Sequence, residues 1–433
     1  MTSLLRFLIS IAVGTVVLTL AVGARPVTTA ASAGDHIAIR SVKLNNYNSW
    51  RFEGESPAEL NRNLEIVARH DNVCFTEHWE HANNLDGWRK VTPQSIRVLN
   101  PKAKIYRIYD LCCKNTWDSD WDDPLDTNRM QTPLTRAMID DQDWWLRDKR
   151  GQVVKENEGK TWYLDVGRQG YKEEFLRNVL DRSEGKGFDG FVFDYWWPEI
   201  SSPLHGRARP DAYPTDGEWF AKAWQPFITY VIGGLRKAGY RVIGNCVGEY
   251  GTADPRQAWQ RCRVDGTIYE QWAVDWPADG GRWLPGSRIQ KRIRALLRDP
   301  LEVWTADYGL RSSDHAYGQK QVVSLAMYYI AIPVFQSNRS YHHMKDGSVY
   351  WENLWDFYIG IPAELAVQRP GKYFWSRKFT QGIVLLNYES AESVTYSLER
   401  EYRDPEGETV SGDVTLGPHT AMILSVCDTG SAP

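Results

Sequence analysis

One short apolar stretch of this chain ends in a carboxylate. Residues 188–197 read Phe-Asp-Gly-Phe-Val-Phe-Asp-Tyr-Trp-Trp, so Asp194 is followed directly by Tyr195, Trp196 and Trp197. A run that is apolar throughout is typical of a strand buried on both faces of a parallel sheet. A charge in such surroundings costs free energy unless it is paired or reacts. Catalytic residues of parallel α/β barrels lie at the carboxyl ends of strands, so Asp194 is a candidate catalytic group. The aromatic residues beside it favour sugar chemistry, and the alternative is a structural or helix-capping aspartate.

A second strand of this kind ends in Glu270, beside Trp272. Along the chain, 190–194 is the fourth predicted strand and 266–271 the sixth, so their ends would face each other across the mouth of one barrel. Glycosidic cleavage needs such a pair, because one acid protonates the leaving oxygen while the other carboxylate attacks carbon or activates water. We therefore predict Asp194 as nucleophile or base and Glu270 as general acid, kept protonated by an apolar wall such as Trp272.

Other predicted strand ends carry polar and aromatic side chains suited to sugar hydroxyls and rings. Arg107 and Asn245 are the predicted hydrogen-bond donors, and Arg107 is also the alternative, structural ion-pair partner of the general acid. Glu249 and Asp307 are the predicted substitutes if either catalytic assignment fails. The predicted substrate-binding residues are Trp196, Trp197, Tyr195, Trp272, Trp79, His78, Arg107, Tyr109, Asp110, Asn245, Glu249 and Asp307, with Trp144 and Trp145 as a further aromatic wall.

Short apolar runs alternate with amphipathic helical segments over most of the chain, which indicates βα units and a parallel sheet. Eight predicted strands favour a closed (β/α)8 barrel, and an open nucleotide-binding sheet is disfavoured because no G-x-G-x-x-G is present. We predict the barrel over 34–367 and a small antiparallel, β-sandwich-like domain over 368–433. The predicted barrel strands are 36–43, 73–77, 104–110, 190–194, 241–245, 266–271, 301–306 and one within 332–351.

The first 33 residues have the pattern of a secretory signal peptide. Arg6 precedes an apolar run over 7–22, and Ala31-Ser32-Ala33 fits a cleavage site between small residues, with a cut after Ala24 as the alternative. An uncleaved N-terminal anchor is the second interpretation, since the run approaches the ~18 residues that suggest a membrane span. We therefore expect a secreted protein, or in the second interpretation one anchored at its N-terminus, with no other membrane contact.

The amino-acid composition limits the classes of molecule that this protein is expected to bind. The formal net charge is −4, which gives no basic footprint and disfavours nucleic acid. Twenty tryptophans and 22 tyrosines are many for 433 residues, and the apolar faces of some of them would stack on sugar rings, although most are expected in the core. The predicted partner is thus a carbohydrate, and neither a cofactor nor a metal is expected.

Export would place the six cysteines in an oxidising compartment. Cys74 and either Cys112 or Cys113 lie near the ends of adjacent predicted strands, and Cys246 and Cys262 flank one loop and helix. These spacings suggest two disulfides, but six cysteines allow 15 full pairings and the connectivity stays open.

Three competing motifs are weaker. Acidic residues over 118–126 approach a calcium loop but lack its glycine, and Arg129 occupies the position of its last glutamate. The run over 77–81 is rich in metal ligands but is not H-E-x-x-H. Residues 244–248 resemble a nucleophile elbow with Cys246 in place of serine, yet the helix that an elbow needs does not follow directly. An esterase using Cys246 therefore remains a minor alternative.

Three stretches resemble, in order, a group of barrel glycoside hydrolases that includes hypothetical glycosyl hydrolase family fifteen, itself similar to α-galactosidase and polygalactosaminidase barrels. They are 144–148 (WWLRD), 162–167 (WYLDVG) and 187–194 (GFDGFVFD). The resemblance implies that Asp194, which closes the fourth strand, is the nucleophile and that Glu270 is the later acidic strand end.

The resemblance extends to 377–387, which is similar to the opening of the β-domain that follows such barrels. One departure concerns the substrate, because Val192 stands where many α-galactosidase-type strands carry lysine. Galactosides are therefore not implied. The sequence as a whole predicts a secreted glycoside hydrolase acting on a poly- or oligosaccharide, with a retaining mechanism favoured. The alternative is a non-catalytic carbohydrate-binding or cell-surface protein on the same scaffold.

Overall fold

The computed structural model describes residues 56–75, 91–115, 132–156, 161–201, 210–245, 263–274, 282–298, 300–310, 316–334, 339–345 and 351–427. The predicted signal peptide and the predicted strand over 36–43 lie outside these ranges. Within them we find no helix with the length and apolar character needed to cross a bilayer.

The described strands and helices follow one another in the order that the sequence predicts. The strands are β1 (Asn72–Phe75), β2 (Lys104–Asp110), β3 (Cys113–Asn115), β4 (Lys155–Glu156), β5 (Thr161–Tyr163), β6 (Gly190–Asp194), β7 (Arg241–Asn245), β8 (Gly266–Glu270), β9 (Glu302–Leu310), β10 (Arg339–Lys345), β11 (Val367–Gln368), β12 (Phe374–Phe379), β13 (Gly382–Asn387), β14 (Val394–Ser397), β15 (Tyr402–Arg403), β16 (Thr409–Val410), β17 (Asp413–Leu416) and β18 (Thr420–Val426). The α-helices are α1 (Pro57–Ala68), α2 (Pro93–Leu99), α3 (Arg136–Asp141), α4 (Tyr171–Ser183), α5 (Asp216–Trp219), α6 (Gln225–Lys237), α7 (Gly286–Leu296) and α8 (Tyr317–Ala331), with a π-helical segment (Phe220–Trp224) between α5 and α6.

Seven of the described strands form one parallel sheet in the order β1-β2-β6-β7-β8-β9-β10. Each strand from β1 to β9 in this sheet is hydrogen-bonded to the next barrel strand along the chain, and described helices lie between β1 and β2, β2 and β6, β6 and β7, β8 and β9, and β9 and β10, as is typical of the (β/α)8 class. Strands β3, β4 and β5 form a separate three-stranded sheet within the insertion that follows β2. The predicted fold class, an α/β barrel with a C-terminal antiparallel β region, is therefore confirmed.

The two strands that carry the predicted catalytic acids begin in the same way. In each, an aspartate precedes a glycine: Asp189 before Gly190, and Asp265 before Gly266. A Cβ on Gly190 would lie 2.3 Å from a carbonyl oxygen of the neighbouring strand, and one on Gly266 would lie 2.8 Å from the corresponding oxygen of β9. Only glycine permits this close packing at the floor of the barrel.

Each of these aspartates fixes its strand against the preceding one. The Asp189 carboxylate accepts the backbone N–H of Ile105 at 2.7 Å and pairs with Arg97. The Asp265 carboxylate accepts the backbone N–H of Val242 at 2.9 Å and pairs with Arg236. A carboxylate that accepts a backbone N–H at a strand's start sets the register of the whole strand.

Side chains of alternate residues on the barrel strands point to opposite faces, because the strand period is two. The inward set forms one small buried cluster, whereas the outward set packs against the helices in larger clusters. The inward cluster consists of Cys74, Tyr106, Ile108, Val192, Ile243, Ile268, Trp304 and Ala306.

The C-terminal region contains a six-stranded antiparallel sheet, ordered β11-β12-β13-β18-β15-β16, and a two-stranded pair of β14 with β17. Arg377 of β12 is fully buried and donates to the carbonyls of Tyr329, Ile330 and Ile332 at the end of α8. Burial lowers the pKa of Arg377 to about 10. A buried cation at a helix C-terminus satisfies carbonyls that have no partner within the helix, so Arg377 joins this sheet to the barrel.

Asp307 of β9 is also fully buried, and it joins β9 to α8 and to the segment after β8. Its carboxylate accepts the backbone N–H groups of Ala273 at 2.8 Å and Val274 at 3.2 Å, and the hydroxyl of Ser324 in α8. Burial raises the pKa of Asp307 to about 6, although these hydrogen bonds oppose the rise. The folded protein therefore binds a proton at Asp307 more readily than the unfolded chain does.

Replacement of Asp307 by Asn should change how stability depends on pH. The wild type takes up a proton as pH falls through about 6, before the unfolded chain does near 4, so its unfolding free energy should rise relative to Asp307→Asn. The expected relative gain between about pH 7.5 and about pH 4.5 is about 2 kcal/mol, measured by chemical denaturation. Asp211→Asn, at an exposed position, is the control for the substitution itself. A pH-independent difference between Asp307→Asn and the wild type would contradict the expected role of Asp307.

Candidate active site

The two predicted catalytic carboxylates lie close together at the carboxyl end of the sheet. Asn245 closes β7, between the strand that ends in Asp194 and the strand that ends in Glu270. Its Nδ2 donates to Asp194 Oδ1 at 2.8 Å and to Glu270 Oε1 at 2.6 Å. The distance between Asp194 Oδ1 and Glu270 Oε1 is therefore no greater than the sum of these two hydrogen-bond lengths.

Strand alternation explains why these three side chains meet. Asp194, Asn245 and Glu270 each stand two residues beyond a member of the inward cluster, namely Val192, Ile243 and Ile268. Each side chain therefore continues the inward face at the point where the strand ends. Asp194 and Glu270 are half-buried, and Asn245 is buried.

A third carboxylate stands on the same face. Asp110 ends β2, is paired in register with Asp194, and is fully buried. The Cys113 thiol lies 3.6 Å from its Oδ2. Three acidic strand ends on one inward face make this end of the barrel strongly negative.

The residue after each predicted catalytic carboxylate has a left-handed backbone. Tyr195 has φ 51° and Gln271 has φ 52°. Residues other than glycine adopt this region at a cost of about 1–3 kcal/mol, and such strain is concentrated at functional sites. Each strand therefore turns sharply away just after its acid, which leaves the carboxylate at the open end of the sheet.

Both of these turns are held by buried donors on their carbonyl oxygens. The Cys112 thiol donates to the Tyr195 carbonyl at 3.3 Å. The Arg292 guanidinium, from α7, donates to the carbonyls of Gln271 and, at 3.1 Å, Trp272. The Tyr195 backbone N–H in turn donates to Asp194 Oδ1 at 2.6 Å.

Cys74, Cys112 and Cys113 form no disulfide, so the suggested disulfide between Cys74 and Cys112 or Cys113 is wrong. The reason is orientation: Cys74 belongs to the inward cluster, whereas Cys112 and Cys113 belong to the outer one. Burial raises the pKa of all three thiols, and the charges of Asp194 or Asp110 raise it further. The suggested pair of Cys246 and Cys262 lies outside the described residues.

Several predicted substrate-binding residues point away from the barrel mouth. Arg107 and Tyr109 alternate with the inward residues of β2, so they face the helices: Arg107 donates to the Arg182 carbonyl at 3.2 Å, and Tyr109 stacks on Phe191. Asp307 is likewise outward, in the network with Ser324 described above. None of these three can serve the site in the predicted role.

The predicted tryptophan wall is largely core. Trp196 is buried with its ring centroid 5.8 Å from that of Trp224, and Trp272 is fully buried. Tyr195 and Trp197 are half-buried beside Asp194 and remain candidates for contact with a ligand. The predicted residues His78, Trp79 and Glu249 lie outside the described residues, while Trp144 and Trp145 are buried.

Sequence reasoning missed the bridging position of Asn245 and the paired left-handed turns. A signal for the first was present, because Asn245 ends the strand between the two acidic strands. Gln271 and Tyr195 give no signal for the left-handed turns, since neither residue type favours positive φ.

Among the described residues, no three His, Cys, Asp or Glu side chains form a group that could hold a metal ion.

Comparison with solved structures returns carbohydrate-active barrels. The chain is similar to the glycoside hydrolase domain of PelA from Pseudomonas aeruginosa (12% identity, 66% of this chain and 92% of that chain, TM-score 0.41). It is also similar to the maltogenic α-amylase AmyB from Thermotoga neapolitana (10% identity, 89% and 98%, TM-score 0.46) and to the GH36 α-galactosidase AgaA from Geobacillus stearothermophilus (10% identity, 90% and 56%, TM-score 0.44). Likenesses at these scores do not bear on the activity of this chain.

No curated protein matches the chain. One family model does match, over residues 97–383, and this range contains Asp110, Asp194, Asn245 and Glu270. The matched range covers well over half of the chain. The chain therefore belongs to hypothetical glycosyl hydrolase family 15 and is a glycoside hydrolase.

Proposed function

We propose that this protein hydrolyses glycosidic bonds of a poly- or oligosaccharide, with Asp194 as nucleophile and Glu270 as general acid. The observation that carries the proposal is the Asn245 amide, whose one nitrogen is hydrogen-bonded to both carboxylates. Retaining enzymes hold their two carboxyl groups about 5–5.5 Å apart, and inverting enzymes about 6.5–9.5 Å. The short span across the amide supports the retaining mechanism.

The reaction then proceeds in two displacements. Asp194 attacks the anomeric carbon as Glu270 gives its proton to the leaving oxygen, and a glycosyl-enzyme ester forms. Glu270, now ionised, removes a proton from water, which releases the sugar and restores Asp194.

The non-catalytic alternative is less well supported. It requires an exposed aromatic wall, but Trp196 and Trp272 are buried. It also gives no reason for bringing two acids onto one amide. Export of the protein remains a proposal that stands on the sequence of residues 1–33.

Replacement of Asp194 by Asn should abolish turnover, because the amide cannot form the glycosyl ester efficiently. The variant keeps the shape of the side chain, so its thermal unfolding midpoint should stay near that of the wild type. Activity is measured against a panel of aryl glycosides and polysaccharides. Asp211→Asn, the same substitution at an exposed position, is the matched control and should remain active. Full activity in Asp194→Asn would remove this residue from the mechanism.

Replacement of Glu270 by Gln should affect substrates according to their leaving groups. An aryl glycoside with an acidic phenol needs little proton assistance, whereas an alkyl glycoside or a polysaccharide needs it fully. We therefore expect the first step to be nearly preserved for dinitrophenyl glycosides and slowed about 10²–10⁴-fold for alkyl glycosides. Pre-steady-state bursts of phenol measure this step. Equal losses for both substrates would assign Glu270 another role.

A further inference from the structure

We propose that Asn245 is a positioning residue that decides which oxygen of each catalytic carboxylate reacts. This inference rests on the proposed function and deepens it. The amide donates hydrogen bonds to Oδ1 of Asp194 and to Oε1 of Glu270. We therefore assign the reacting positions to Oδ2 and Oε2. The sequence alone had suggested that Asn245 binds substrate.

The amide is placed to do this and little else. Its side chain is 4% exposed, and both N–H groups of its nitrogen are used by the two carboxylates. An amide nitrogen carries two donors, so each acid receives one. The orientation is fixed by charge, because the amide oxygen would be repelled if it faced two carboxylates.

At Asp194 the two oxygens become different in kind. Oδ1 accepts two N–H groups, from Asn245 at 2.8 Å and from the Tyr195 backbone at 2.6 Å. Those donors draw electron density to Oδ1 and hold it in place. Oδ2 is therefore the atom that bonds to the anomeric carbon as the glycosidic C–O bond breaks, and Oδ1 becomes the ester carbonyl, still bound by the same donors.

At Glu270 the same amide places the proton. Oε1 accepts the N–H, so the acidic hydrogen resides on Oε2. That proton passes to the leaving oxygen in the first displacement, and Oε2 accepts a proton from water in the second. Asn245 is left chemically unchanged by either step.

Among the residues that the structure describes, few titratable groups adjoin the two acids, and they can be held constant. Asp110 of β2 shares the inward face, and the Cys74 thiol of β1 belongs to the cluster beneath it. Burial, with the charge of Asp194, raises the pKa of Cys74, so the thiol stays protonated. On β9 the inward residues Trp304 and Ala306 do not titrate. Asp110 remains in every variant, so its titration cancels when variants are compared.

The test is the pH dependence of stability, which needs no substrate. A donor to the Asp194 carboxylate favours its charged form, so its stabilising effect is present above the unfolded pKa near 4 and is lost as pH falls below it. The thermal unfolding midpoint of Asn245→Ala should therefore drop further below the wild type at about pH 7.5 than at about pH 3. An equal drop at both pH values would overturn the proposal.

Two further variants make the result specific. Asn387 is a fully buried amide in the C-terminal sheet that donates only to backbone carbonyls. Asn387→Ala should therefore lower the midpoint by the same amount at both pH values. Asn245→Asp keeps the shape but adds a negative charge between the two acids, so its midpoint should fall steeply as pH rises, and a pH-independent midpoint would contradict the proposal. This second variant decides the matter if Asn245→Ala does not fold.

The kinetic test uses any substrate that the wild type is found to hydrolyse. Asn245→Ala should lose about 10²-fold in kcat, as removal of a transition-state donor does, with KM nearly unchanged. A rise in KM with kcat intact would mean that Asn245 binds sugar instead. If Asp194→Asn is active but the pH-dependent stability is as expected, the proposed mechanism fails while the bridging role of Asn245 stands.

Discussion

The side chains of Asp194 and Glu270 repel each other, and the Asn245 amide holds both of them by hydrogen bonds. The strands of the barrel keep these three side chains together. Unshielded carboxylates at this separation would take up a proton or move apart. Asn245 offers a donor to each, and the backbone of Tyr195 offers another to Asp194. Because the three side chains come from three successive strands, the barrel itself fixes the distance between the acids. The positions of these three side chains are thus set by the sheet.

Much of this was predictable from the sequence, because the strands are short, apolar and end in acids. The predicted bounds 104–110, 190–194 and 241–245 match the observed β2, β6 and β7. The assignment of the acids to the fourth and sixth barrel strands needed only counting and the parallel-sheet rule. The contact of both acids with the Asn245 amide also follows from the sequence, because Asn245 ends the strand between the two acidic strands.

Where prediction failed, the cause was strand alternation. Arg107, Tyr109 and Asp307 were placed in the site because they lie near strand ends, but the residues beside them are the inward ones. A polar residue near a strand end predicts a functional role, whereas the Asp307 carboxylate is buried because it accepts backbone N–H groups. The tryptophans failed for a different reason, since a large aromatic side chain next to an acid contributes equally well to a core.

The floor of the barrel has a consequence for the mouth. Asp189 and Asp265 fix the starts of the two acidic strands, and each lies five residues before its acid, about 16 Å away along an extended chain. A slip of one residue at the floor would turn Asp194 or Glu270 towards the helices and bring Phe193 or Tyr269 into the lumen. The directions of the two acidic side chains therefore depend on residues at the opposite ends of their strands. Substitutions at those distant positions can inactivate such a barrel, or change what its acids face, while Asp194 and Glu270 stay unchanged.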